Sequence, residues 1–329
     1  MDILPKIQCP HTDDPNARNA RVDSLSSTLP FEFLNGKISN AEIGFKGFLA
    51  TFAQGLNRKK TKNELSMKFN FKKLNDTSSL NPLKSEWQKS LTASQDGMWE
   101  SITNSSTHWE IQDEQQTIGY TCVDGGNRLL QFFVLPNWLT EGLAIFQQFI
   151  DQQNIKTALI GTNNPVGLSI AMHFQKSVKV DTYLFTDFVK SMPNEIDASF
   201  RLVMETDLPN LVEYFHQSMG APKEWLKNYA GSLIEKKEIF VLEDGAEILG
   251  TCEVRKSKSD SKVADVGMVV SPNHRRKGIG TFLLGKAKEI AIKWGRSPIC
   301  SCEKDNLGSL KSIQKNGFRS VHQMLLMDF

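Results

Sequence analysis

No segment of this sequence is apolar for long enough to cross a bilayer. The most hydrophobic stretch, residues 129–150, is interrupted by Pro136, Asn137 and Glu141, whereas a spanning helix needs about 20 predominantly apolar residues. The first residues, MDILPKIQCPHTDDPNARNARVD, contain no apolar core of signal-peptide length and bring in acids and prolines early. Both absences point to a cytoplasmic protein without a membrane partner. Charge of one sign is lacking too. Lysine plus arginine (39) against aspartate plus glutamate (37) leaves a formal net charge of +2. That excludes the basic footprint of a nucleic-acid-binding protein, and the densest basic cluster, RKKTK at residues 58–62, reads as a solvated loop. Cysteine is scarce and odd in number: there are five, and Cys122, Cys252, Cys300 and Cys302 sit in apolar strand-like runs while Cys9 does not. This usage suits reduced, buried thiols rather than a disulfide framework. Cys300-x-Cys302 has no second pair at zinc-ligand spacing, so no metal is expected.

What is present is the balance of an ordinary globular chain, 40% apolar and 23% charged residues. A length of 329 residues is comfortable for two domains. Residues 1–28 are polar and aperiodic and read as loosely ordered. Weak helical patterns follow near residues 41–54 and 83–91. Strand-like runs then occupy residues 107–111, 117–123 and 129–135, the last stopped by Pro136. Residues 143–152 have helical spacing, 157–161 and 178–186 read as strands, and 166–174 as a short helix between them.

Ser191-Met192-Pro193-Asn194 has linker composition, and after it the order recurs. Residues 200–204 read as a strand and 207–217 and 222–234 as helices. Residues 238–242 and 247–256 form a hairpin about Asp244-Gly245. A strand at 263–270 is stopped by Pro272, and a long helix follows at 279–294. A strand (298–303), a helix (307–316) and a last strand (319–328) complete the chain. The letters repeat as well as the order. Ile118-Gly119-Tyr120-Thr121-Cys122 resembles Ile248-Leu249-Gly250-Thr251-Cys252, and Val134-Leu135-Pro136-Asn137 resembles Val270-Ser271-Pro272-Asn273. The same offset sets Gly142 opposite Gly278. A duplicated α/β unit is therefore expected.

The most informative segment is VVSPNHRRKGIGT, residues 269–281. A strand runs into a turn that combines Arg275, Arg276 and Lys277 with two glycines, and an amphipathic helix starts at once. Helix N-termini expose unpaired N–H groups at the positive end of the dipole. Gly278 and Gly280 remove the Cβ atoms that would keep a phosphate from those amides. A tight turn with solvated charges would show the same letters; the strand before and the helix after favour an anion site. The first glycine of the dinucleotide fingerprint G-x-G-x-x-G is missing.

Arg275-x-x-Gly278-x-Gly280 after Val270-x-Pro272 resembles the acetyl-CoA motif of the GNAT superfamily of N-acetyltransferases. Asn306-Leu307-Gly308-Ser309 at the next helix start and Gly317-Phe318 at its end extend the likeness over about residues 200–329. The resemblance implies an α/β (α+β) fold of tandem GNAT-like domains, each a mixed, mostly antiparallel sheet flanked by helices. It sets a degenerate domain at residues 29–190, a linker at 191–199 and the catalytic domain at 200–329. It implies an acetyl-CoA-dependent N-acetyltransferase that transfers the acetyl group to a small-molecule or protein amine by direct attack on the thioester.

Residue by residue, the resemblance places backbone contacts to the pantetheine arm on Met268, Val269 and Val270. It places the pyrophosphate on the amides of Arg276, Lys277, Gly278, Ile279, Gly280 and Thr281, with Arg275 anchoring the turn. Asn306, with Ser309 beside it, matches the position that bonds the pantetheine arm. Two departures stand out. Where the family often carries a tyrosine as general acid this chain has Ile313, and Ser309 or water would have to substitute. No general base is singled out: Asp265, Glu253 and Glu303 are equally arguable, and a strand acid can also be a solvated one. At the aligned turn of the first half, Leu139 replaces the anchoring cation and Glu141 sets a negative charge beside the presumed pyrophosphate. That repulsion is on the order of one to several kcal/mol, so the first half is expected not to bind acetyl-CoA productively. A non-catalytic acyl-CoA-binding or protein-interaction module is the alternative, and transfer of a longer acyl group a third.

Overall fold

The computed structural model describes residues 68–189 and 195–329. The expected segment 1–28, the helix near 41–54, the basic cluster at 58–62 and Cys9 lie outside the described residues. So do residues 190–194, which include the proline-bearing start of the linker.

The first half runs β1 (Phe69–Leu74), α1 (Asn81–Ser90), α2 (Gly97–Ser105), β2 (Thr107–Asp113), β3 (Gln116–Val123), β4 (Arg128–Val134), α3 (Gly142–Gln152), β5 (Thr157–Gly161), α4 (Pro165–Met172) and β6 (Ser177–Asp187). The second runs β7 (Ser199–Leu202), α5 (Leu208–Met219), α6 (Lys223–Glu235), β8 (Ile239–Asp244), β9 (Glu247–Lys256), β10 (Val263–Val270), α7 (Ile279–Lys293), β11 (Ser297–Glu303), α8 (Leu307–Lys315) and β12 (Phe318–Asp328). The elements start where local chemistry says they should. The Asp96 side chain caps α2 on the Trp99 amide at 2.8 Å, and Asn164 and Asn306 cap α4 and α8 in the same way. Pro165 and Pro209 sit in the first turns of α4 and α5, where a missing N–H costs nothing.

The mixed, mostly antiparallel strands expected of each half are present, but the two halves share them in one sheet. The described strands form a single twelve-stranded sheet in the order β1-β2-β3-β4-β5-β12-β6-β11-β10-β9-β8-β7. The last strand of the chain, β12, pairs with β5 of the first half through Met324↔Gly161 to Asp328↔Thr157. In exchange β6 pairs with β11 of the second half through Ile299↔Thr186 to Glu303↔Thr182. Each half thus borrows a strand from the other. Alternation in a strand fixes which face is buried but not which neighbour it takes, so the exchange is invisible to pattern reading.

Helices cover both faces. On one, α3 packs Ile145, Phe146 and Phe149 onto β3 to β5, and α7 packs Phe282, Leu283 and Ala287 onto Cys252, Val254 and Cys300. On the other, α1 and α2 cover the first half and α5 and α6 the second. The four described cysteines are buried and free, and burial raises the Cys122 thiol to about 12.

His108 on β2 is 1% exposed, its Nδ1 3.0 Å from the Ser106 carbonyl and its Nε2 without a partner among the described residues. Burial, helped by the positive charge of Lys84, holds it down to about 4. The unfolded chain takes up this proton near 6.5, so the contribution is complete above that pH and is lost as pH falls towards 4. The expected loss between pH 7 and pH 4 is up to about 3 kcal/mol. Urea unfolding at both pH values checks it: the wild-type fall should shrink by that amount in His108→Phe.

Candidate active site

The strands β10 and β11 are parallel and pair only at Val263↔Ser297, Ala264↔Pro298 and Asp265↔Ile299. Beyond Asp265 they part. At the open end β10 stops at Val270, a short turn (Pro272–His274) reverses the chain, and α7 begins. Arg276 and Gly278 adopt left-handed backbone angles, φ +64° and +86°. Glycine takes that conformation freely, while an L side chain incurs about 1–2 kcal/mol for it. The Gly278 carbonyl accepts from the Thr281 and Phe282 amides at 3.0 and 3.1 Å. The Ile279 and Gly280 amides have no intrahelical acceptor and point out of the helix end.

In front of them lies a cleft of about 720 Å³. Met268, Val269 and Val270 form its β10 wall, Arg275, Arg276, Gly278, Gly280 and Thr281 its floor, and Asn306 and Ser309 the opposite wall. Lys277 and Ile279 do not line it. Lys277 is exposed, and Ile279 turns its side chain into the core at 6% exposure, so these two offer main chain only. Thr281, on the floor, turns its amide to the Gly278 carbonyl at 3.0 Å. Arg275 ties the turn together, donating from Nε to the Val270 carbonyl (3.3 Å) and from Nη2 to the Ser218 carbonyl at the end of α5 (3.0 Å). A Cβ built on Gly280 would stand 3.3 Å from Ser312 Oγ and 3.4 Å from Val270 Cγ2, so this position faces straight across the cleft. Ser218, Met219, Gly308, Lys311, Ser312 and Lys315 also line it and were missed. A signal for four of them exists: Gly308, Lys311, Ser312 and Lys315 recur at i, i+3, i+4 and i+7, one stripe of α8. That stripe adds two cations to the cluster at 275–277.

The three candidate bases separate clearly. Glu303 ends β11, exposed and without a side-chain hydrogen bond among the described residues. Asp265 is 2% exposed, and its Oδ2 accepts from Arg255 Nη2 (2.6 Å) and from the Gly97 amide at the start of α2 (3.0 Å). Burial pushes its carboxyl up to about 7, against the pull of Arg255. Glu253 is 6% exposed; Tyr229 donates its hydroxyl to Oε2 at 2.6 Å, and Arg255 Nη1 lies 3.1 Å from the same oxygen. Glu253 pairs across the sheet with Gly267, where a built Cβ meets nothing within 4 Å. Open space therefore lies beside Glu253, just past the point where β10 leaves β11. One guanidinium holds both buried acids. Removing it should cost about 3–5 kcal/mol, because two buried carboxylates lose their shared counter-charge; urea unfolding of Arg255→Met at pH 8 measures this.

The first half repeats part of the geometry. Its parallel pair β4/β5 joins only at Arg128↔Thr157 and Leu129↔Ala158. Gly142, however, has an ordinary helical φ of −53°, and a Cβ there would meet Ile170 Cδ1 of α4 at 3.0 Å. Where the second half has the small, polar Ser312, the first has a packed isoleucine. Glu141 carries its charge at the helix start and is 3.5 Å from Lys68.

Parted parallel strands that lead to a side-chain-free helix end put the chain in the acyltransferase fold class. Residues 76–188 match the family model described as Acetyltransferase (GNAT) domain, and residues 201–318 the one described as Acetyltransferase (GNAT) family. The chain belongs to the GNAT superfamily and carries two of its domains in tandem. A solved acetyltransferase of the GNAT family from Colwellia psychrerythraea is 26% identical, with a TM-score of 0.75 over 79% of this chain and 99% of its own. A tandem GNAT protein from the clavulanic acid biosynthesis pathway, solved without AcCoA, shares the fold at 13% identity, with a TM-score of 0.55 over 79% of this chain and 97% of its own. The uncharacterized N-acetyltransferase YjdG of Bacillus subtilis (strain 168) is 31% identical over 91 residues, 26% of this chain and 52% of that relative. The chain thus spans about half of that curated relative's length.

Proposed function

We propose that this chain is an acetyl-CoA-dependent N-acetyltransferase with one working site, the cleft of the second half. The observation that carries the reading is the left-handed Gly278 followed by a bare Gly280 at the mouth of parting strands. The diphosphate of the donor sits on the Ile279 and Gly280 amides, with Arg276, Lys311 and Lys315 supplying charge. The pantetheine arm follows β10 between Met268 and Val270 towards the gap beside Gly267. The acceptor amine enters that gap from the face bearing α5 and α6. Glu253, oriented by Tyr229 and Arg255, takes the proton from the ammonium through its free oxygen. The neutral amine attacks the thioester carbonyl, and the leaving thiolate takes a proton from solvent, because Ile313 is apolar and 3% exposed. Asp265 positions Arg255 and does not itself meet the amine.

The first half is proposed to bind no coenzyme, since Ile170 occupies the space and Glu141 opposes the charge. Calorimetric titration with coenzyme A should give a stoichiometry of one per chain, and thiol release from acetyl-CoA should depend on an added amine. Two equivalents, or tight binding with no turnover on any amine of a broad panel, would overturn the respective halves of this reading.

A further inference from the structure

A second cavity, of about 660 Å³, lies mainly on the first half and shares no lining residue with the coenzyme cleft. Its floor is Tyr120 on β3 and Gln131 on β4. Its walls are α1, the segment 91–95 and α2, and its rim is the loop Lys258-Ser259-Asp260 between β9 and β10. This is no solvated dent. Gln131 and Gln95 are 4% and 8% exposed, line the cavity, and have no hydrogen-bond partner for either carboxamide among the described residues. The Tyr120 hydroxyl and the Trp87 indole N–H, also at the cavity, are buried without partners among the described residues. A buried polar atom without a partner costs its full desolvation, and two of them, the Tyr120 hydroxyl and the Trp87 indole N–H, meet here beside the two carboxamides. Such a set waits for hydrogen bonds from outside the chain.

The charges say what kind of molecule would bring them. Lys84 lines the cavity half-buried and forms no ion pair among the described residues, and burial lowers its affinity for a proton. Lys89, by contrast, is engaged by Glu86 at 2.7 Å. An uncompensated, partly desolvated ammonium favours an anion, and the neutral carboxamides and phenol favour a ligand with both donors and acceptors. Glu100, on the α2 wall, has its carboxyl raised by burial and accepts from the Ser259 hydroxyl, with no ion pair among the described residues; a ligand cation would relieve it. The volume is that of a small-metabolite pocket.

We infer that this cavity is a binding site for a small carboxylate with hydrogen-bonding groups, of the size of a free amino acid or a dipeptide. The carboxylate pairs with Lys84, the polar body bonds Gln131 and Gln95, and the α-ammonium meets Glu100. The site is independent of the coenzyme cleft and of the transfer reaction proposed for it.

The test is calorimetry on the full chain with the twenty free L-amino acids, a set of dipeptides, and the C-terminal amides of both as matched controls. At least one free acid should bind, with quenching or shift of tryptophan emission from Trp87, and its amide should bind roughly tenfold or more weakly, the loss of one charge-assisted contact. Lys84→Met and Gln131→Leu should each weaken it by roughly tenfold, while coenzyme A affinity in the same samples, which reports the fold, stays within about twofold. Lys84→Gln repeats the test if Lys84→Met fails to fold. Binding by free acids but not dipeptides, or the reverse, names the source. The inference is overturned if no member of the panel binds, if amides bind as tightly as acids, or if the folded Lys84 variant keeps full affinity.

Discussion

Gly280→Leu should abolish coenzyme A binding, raising the Kd by roughly a hundredfold or more, while leaving the fold as stable as before or slightly more so. The position is in the first turn of α7, where leucine is a better helix former than glycine by about 0.5–1 kcal/mol. Its side chain has one way to go. The Cβ already meets Ser312 Oγ at 3.3 Å and Val270 Cγ2 at 3.4 Å, so the remaining carbons must lie across the bare amides. A diphosphate displaced from those amides loses at least two charge-assisted bonds at about 1.5–3 kcal/mol each. Gly280→Ala is the internal control: a few tenths of an ångström of give at Ser312 accommodates it, and affinity should fall only a few-fold. Gly278→Ala behaves differently, because a φ of +86° strains any L residue and both stability and affinity suffer. Titration calorimetry beside thermal melts separates the three. Wild-type affinity in a folded Gly280→Leu protein would show that the coenzyme does not use this cleft.

The second large effect is expected at Glu253. Glu253→Gln should lower kcat by about 10²–10⁴, the range for removal of a general base, with coenzyme affinity unchanged. The amide keeps the shape and still accepts from Tyr229, so the fold is spared. An equal loss in Asp265→Asn would not make Asp265 the base, since Arg255 is shared. The discriminating readout is the pH profile. Asp265, raised to about 7, would impose an inflection near neutrality that survives in Glu253→Gln if Asp265 takes the proton. If both the rate and the profile of Glu253→Gln match wild type, the base lies elsewhere and the proposed proton path is wrong.

Pattern reading succeeds where local chemistry dictates structure. The turn after β10 was legible because a strand that stops at a proline, a left-handed backbone angle at Gly278 and a helix start at Ile279 are each set by residues within one turn of each other. Asn306 was legible as a helix start because a short polar side chain satisfies the amide three residues on. Lys311, Ser312 and Lys315 were passed over, although their spacing marks a stripe of α8, because exposed lysines on a helix are common and nothing local says which face a stripe will meet. The candidate bases stayed unresolved for a related reason. A carboxylate on a strand reads the same whether it is solvated, like Glu303, or clamped by a guanidinium two residues along the strand, as Glu253 is by Arg255.

By itself the sequence determined the duplicated α/β plan, the buried thiols and the glycine-bare helix end, because each depends on residues within one turn or one strand of each other. Only the tertiary structure decided the exchange of β6 and β12, the packing of Ile170 against Gly142 in the first half, the Arg255 clamp on two acids with Gly97 of the first half bonded to one of them, and the polar cavity about Lys84. Most of those depend on contacts between residues far apart along the chain, for which periodicity supplies the buried face but no partner.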